Sequence, residues 1–179
     1  MDSRENILLE YVWNISIKKE YQLPNNLRLE YATLPKDYNP AGGDGMVLYR
    51  VDNQQVMIFI RQGCEDKLML PLTLFHEYSE GQAMKNGIEF DRFNRLLIQY
   101  QDFILGCYPD HTQILGELFD LISGGEYSAI LVGVYRSVFV DDLPHVDAVL
   151  QEIDFCHTYF SDLIPVLKKS IIDHNRLCL

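Results

Sequence analysis

Between Leu27 and Gly87 the hydrophobic period of the chain changes from two residues to about 3.6, and that change limits the fold more than any other feature. Leu27-Arg28-Leu29-Glu30-Tyr31 alternates apolar with charged residues, the pattern of a half-buried strand. Met46 to Val51 and Gln55 to Ile60 are two apolar, β-branched and aromatic runs joined by Asp52-Asn53-Gln54, a polar connection of hairpin length. From Leu70 or Pro71 to Asn86 the pattern becomes helical, with Leu72, Phe75, Ser79 and Ala83 at i, i+3, i+7 and i+11. Pro71 suits the first turn of that helix, where its missing donor costs nothing, and Gly87 suits the stop.

The flanks extend this frame. Ile7, Leu8, Tyr11 and Ile15 predict a first helix over about Ser3 to Lys19, broken by Pro24-Asn25-Asn26. Pro35 to Gly45 collects two prolines and three glycines and reads as a loop, long enough to form a functional rim. Beyond Gly87 the strand signal fades. Phe90, Phe93, Leu97, Tyr100 and Ile104 mark one amphipathic helix, and Asp110 is placed to cap another that carries Ile114, Leu118, Phe119 and Ile122. After Gly124-Gly125, Tyr127 to Val140 is apolar almost throughout, and its length favours helix over strand. Pro144 opens a last helical stretch to about Arg176, divided or kinked near Pro165. The expected class is α+β: an N-terminal helix, a small three-stranded, mainly antiparallel sheet, a central helix and a helical C-terminal half. With 179 residues, 47% of them hydrophobic, one domain spanning 1–179 is expected.

Charge narrows the partners. Fifteen Lys and Arg against 26 Asp and Glu leave a net charge of −11, which repels phosphate backbones and anionic lipid, so neither nucleic acid nor a membrane is expected to bind. No apolar run reaches the roughly 18 residues of a membrane span, because Arg136 interrupts the best candidate. Met1 to Asn6 lacks the basic-then-apolar order of a signal peptide, so a cytoplasmic location is expected. Cys64, Cys107, Cys156 and Cys178 form no Cys-x-x-Cys pair and read as reduced thiols.

The stretch that reads as chemistry is His76-Glu77-Tyr78-Ser79-Glu80, in the middle of the central helix. Residues four apart share a helix face, so His76 and Glu80 can direct a nitrogen and an oxygen at one point. Glu77, rotated by about 100°, would lie beside a metal held there and accept a proton from its water. The plain alternative is an ordinary helix-face pair with Glu77 solvated. Against it, an imidazole and a carboxylate in the middle of an apolar helix each need a partner.

His76-Glu77-x-x-Glu80 resembles the His-Glu-x-x-His helix of zincin metallopeptidases, with a carboxylate replacing the second histidine. The resemblance covers about residues 27–95, because minimal zincins also place a helix and a short twisted sheet before the active-site helix and mostly helices after it. It implies a bound zinc ion, His76 and Glu80 as ligands, and Glu77 as general base for peptide hydrolysis. It also implies that an edge strand, Met46 to Val51 or Gln55 to Ile60, binds an extended peptide or protein segment by strand addition. A third ligand is required, and Glu89, Asp91, Asn94 or the more distant His111 could supply it, with Asp91 the choice.

Other residues read plainly. His145, His157 and His174 are expected on helix surfaces or satisfied in the core, and Asp141-Asp142 as the acidic start of a helix. Gly42-Gly43-Asp44-Gly45 lacks the Lys and Ser or Thr of a phosphate loop. Cys64 and Ser79 have no base assigned to them, so covalent catalysis is not indicated. The competing functional reading is a non-catalytic binding or regulatory protein, using the acidic surface, the Pro35 to Gly45 loop or the helical half.

Overall fold

The computed structural model describes residues 11–14, 16–35, 43–65, 67–125 and 143–177, the last four of these by backbone alone. Internal contacts divide the chain into two compact units, Met1–Asn86 and Gly87–Leu179. The fold is α+β, as expected, with one strand more than the sequence pattern predicts.

The first unit is built on four strands, β1 (Lys19–Gln22), β2 (Arg28–Leu34), β3 (Gly45–Arg50) and β4 (Gln55–Arg61), in the order β1-β2-β4-β3. β1 and β2 are antiparallel around a tight turn in which Asn26 takes φ 63°. β3 and β4 form the expected hairpin, with Arg50 opposite Gln55. β2 and β4 run parallel, Tyr31 pairing with Ile58. β4 therefore lies inside the sheet, with Met57, Ile58, Phe59 and Ile60 all buried, and β1 and β3 are its edges.

The added strand begins at the expected end of the first helix, Ser3 to about Lys19. Of that helix, residues 3–10 and 15 lie outside the described residues; residues 11–14 are helical, the Ser16 amide bonds to the Val12 carbonyl at 2.8 Å, and from Lys19 the chain pairs with β2. Lys19, Glu20 and Gln22 are exposed, so β1 carries no apolar alternation that a sequence reading could detect. On one face of the sheet Trp13 meets Phe59 edge-on at 5.3 Å, with Val12, Ala32, Leu34 and Met57 completing the cluster. On the other face lies α1 (Leu70–Asn86), the helix expected from Leu70 or Pro71 to Asn86. Gly81 lets it come close: a Cβ there would meet Val47 Cγ2 at 2.9 Å and also collide with Val56.

The second unit consists of α2 (Phe90–Gln99), α3 (Gln101–Cys107), α4 (Thr112–Ser123), α5 (Leu143–Tyr159) and α6 (Ile164–Leu177). Phe93, Leu96, Leu97, Leu115, Leu118, Phe119 and Ile122 form its core with Val146 and Leu150. Three expectations shift here. The helix predicted through Phe90 and Ile104 is interrupted at Tyr100, which takes φ −111° and ψ 22° while its hydroxyl donates to Asp154 at 2.6 Å. Asp110 does not cap α4. It lies exposed in a single 3₁₀ turn, Pro109–His111, and His111 occupies the cap position. The C-terminal helical stretch divides at Phe160, with φ −141°, and Pro165 sits in the first turn of α6, where its missing donor is tolerated. Tyr127 to Val140 and Asp141-Asp142 lie outside the described residues.

One buried ion pair ties α2 to α5. Asp147 is fully buried and accepts Arg92 and Gln151 through Oδ2, each at 2.9 Å. Burial pushes its carboxyl above the usual range although the Arg92 charge and both hydrogen bonds pull it down. Arg92→Met removes the main opposing charge, so the folded-state value rises further above the unfolded one. That penalty is absent below the unfolded value, near pH 4, and grows as pH rises. Urea unfolding should show a loss of about 3–5 kcal/mol at pH 8 and a smaller one at pH 4.5; equal losses would refute this account of Asp147.

Candidate metal centre

Helix α1 starts with Pro71 in its first turn, carries Lys85 in its last, and stops at Gly87, where φ reaches +80°. Leu70, Leu72, Leu74, Glu77, Ser79, Gly81 and Ala83 are buried, which puts interior positions on two sides of the helix. Polar side chains in its middle are therefore drawn out of water, which costs free energy unless polar or metal partners are found.

His76 and Glu80 are brought together as their spacing requires. His76 Nε2 lies 3.6 Å from Glu80 Oε2, and the two side chains are only 12% and 14% exposed. That separation is longer than a hydrogen bond, which ends near 3.2 Å. It is close to the roughly 3.4 Å between two ligand atoms that each sit about 2.1 Å from a tetrahedral zinc ion. Imidazole nitrogen and carboxylate oxygen are both ordinary zinc donors, so this half of the ligand set fits the ion.

Glu77 is 7% exposed, so it is not the solvated residue of the plain alternative. Its carboxylate is set against the first residue of β3. A Cβ built on Gly45 would lie 2.6 Å from Glu77 Oε1, 2.9 Å from its Cγ and 2.8 Å from Thr73 Cγ2. Thr73, Glu77 and Gly81 are thus the stripe of α1 turned to the β3–β4 hairpin, and His76 and Glu80 lie beside that stripe. Gly45 was legible only as part of a glycine-rich loop, because its contact with Glu77 joins residues far apart in sequence.

The residues considered for a third ligand all belong to the second unit. Asp91 is exposed in the first turn of α2, Glu89 pairs with Arg92 at 3.7 Å, Asn94 is buried, and His111 packs its ring near Tyr108. Of the other histidines, His157 is exposed against the rings of Tyr100 and Phe103, and His145 is half-buried in the first turn of α5. The His174 side chain is outside the described set. Cys64, Cys107 and Cys156 are free and buried. Burial pushes the Cys107 and Cys156 thiols up to about 11, which keeps them protonated and poorly nucleophilic at neutral pH. Ser79 Oγ is buried with no hydrogen-bond partner among the described residues, so no base activates it. Among the described residues no helix is long and apolar enough to cross a membrane. Compared with protein-family models, curated proteins and solved structures, the chain matches none.

The crowding at Gly45 is testable without knowing the reaction. Gly45→Ala should cost about 1–3 kcal/mol by overpacking. In a Glu77→Ala background, where Oε1 and Cγ are gone, the same substitution should cost at least about 0.5 kcal/mol less. Additive losses in urea unfolding would show that Glu77 does not fill the space beside Gly45.

Proposed function

We propose that this chain is a zincin-like, metal-dependent hydrolase acting on a peptide bond or similar amide. The observation that carries the reading is the 3.6 Å approach of His76 Nε2 to Glu80 Oε2 in a largely buried position, with Glu77 one residue along the same helix. A zinc ion there would lower the pKa of water towards about 7 and polarise the scissile carbonyl. His76 and Glu80 hold it, and a further ligand completes the set. Asp91 is the proposed third ligand on the grounds of the family resemblance alone. Glu77 takes the proton of the attacking water and passes it to the leaving amine. β3, the edge strand of the hairpin beside α1, is where an extended peptide or protein segment would add to the sheet. Its neighbour β4 is paired on both sides, which removes the second candidate named above.

A second reading rests on the same distance. If His76 is protonated, 3.6 Å is also a weak ion pair with Glu80, and the chain would then be a binding or regulatory protein. Metal content separates the two. Elemental analysis of protein purified without chelator should give close to one zinc per chain for wild type and a large loss for His76→Ala; no zinc in either, even after zinc is added, would favour the ion-pair reading.

The base has its own test. Glu77→Gln should retain zinc and lose at least about a hundredfold in kcat, since general-base catalysis contributes roughly 10²–10⁴. Undiminished turnover in that variant would sink the assignment of Glu77.

A further inference from the structure

We infer that Asp44 is the positioning residue for Glu77 and acts through Gly45. This rests on the general-base reading of Glu77 given above. Asp44 immediately precedes β3, and its groups gather three segments of the first unit. Its carbonyl accepts the Arg61 amide at 2.8 Å, at the end of β4. Its carboxylate accepts Arg61 Nη2 on Oδ1 and Lys67 Nζ on Oδ2, both at 2.6 Å, and the Cys64 thiol donates to Oδ1 at 3.3 Å. Cys64 and Lys67 lie in the connection that leads from β4 into α1. One carboxylate thus fastens the start of β3 both to the end of β4 and to the lead-in of the helix that carries His76, Glu77 and Glu80.

The next residue is Gly45, whose backbone lies against the Glu77 carboxylate. The opening of β3 is therefore one wall of the Glu77 site, and a shift of that opening changes the space left to the carboxylate. Partial burial works to raise the Asp44 pKa. The hydrogen bonds from Lys67 and Cys64 and the charges of Lys67 and Arg61 outweigh it and hold the carboxyl below its ordinary range. The clamp accordingly stays charged at neutral pH. Its charged members, Asp44, Arg61 and Lys67, are 31–45% exposed, so their ion pairs add little to overall stability. What it supplies is geometry, since two cations held on separate oxygens of one carboxylate set its orientation.

Asp44→Asn keeps the shape and removes the charge. With a pool of internally quenched peptides as probe, the variant should show kcat lowered about tenfold or more, because misplacing a catalytic group by about 1 Å can cost a hundredfold. KM, bound zinc and thermal midpoint should stay close to wild type. Lys67→Met, which loosens one arm of the clamp, should lower kcat in the same sense and by less. A merely structural role would move the thermal midpoint and leave the kcat of the folded protein unchanged. Crystal structures of wild type and Asp44→Asn should show the Glu77 carboxylate displaced by more than about 0.5 Å. Equal kcat in an active wild type and Asp44→Asn would overturn the inference and leave the hydrolase reading standing. If wild type cleaves no peptide, that reading falls and the crystal structures decide: an unmoved carboxylate overturns the positioning role, and a displaced one upholds it.

Discussion

The first unit depends on how closely one helix can approach one hairpin. Gly81 on α1 faces Val47 and Val56, and Gly45 on β3 faces Thr73 and Glu77, so both partners give up a side chain where they meet. Packed interiors leave little slack for an added methyl group. At this spacing the buried stripe of α1 has room for Glu77 only because Gly45 leaves it space. The placement of that carboxylate is a property of the strand as much as of the helix.

That dependence explains what could be read from the sequence. The β3–β4 hairpin was legible because Asp52-Asn53-Gln54 separates two apolar runs, and α1 was legible because its apolar period, Pro71 and Gly87 agree. His76 and Glu80 were legible as a pair because four residues of helix bring any two side chains onto one face. β1 was not, since an edge strand exposed along most of its length leaves no hydrophobic alternation. Nor was the parallel pairing of β2 with β4, because alternation tells which face of a strand is buried and not which strand lies beside it. The break at Tyr100 coincides with a hydrogen bond to Asp154, and the crowding of Glu77 with Gly45. Both are contacts between distant positions, and no local pattern encodes them.

Electrostatics separate along the same line. The chain carries a net charge of −11, yet two carboxylates are each held by basic or amide partners: Asp44 by Arg61 and Lys67, Asp147 by Arg92 and Gln151. The two are perturbed in opposite directions. Asp44 is partly exposed and its cations win, whereas Asp147 is fully buried and desolvation wins. Depth, more than the presence of a basic partner, decides the sign.

The sheet order has a kinetic side. β1 and β2 are neighbours in sequence, as are β3 and β4, so each pair can close through a short turn. The seam that joins them, Tyr31 with Ile58 to Leu34 with Arg61, spans a much longer stretch of chain. Loop-closure entropy is thus concentrated in one parallel ladder, and pairing of that kind is intrinsically slow to form. β4, the most apolar strand, borders that ladder, so until the ladder forms β4 has an open edge on which aggregation can act.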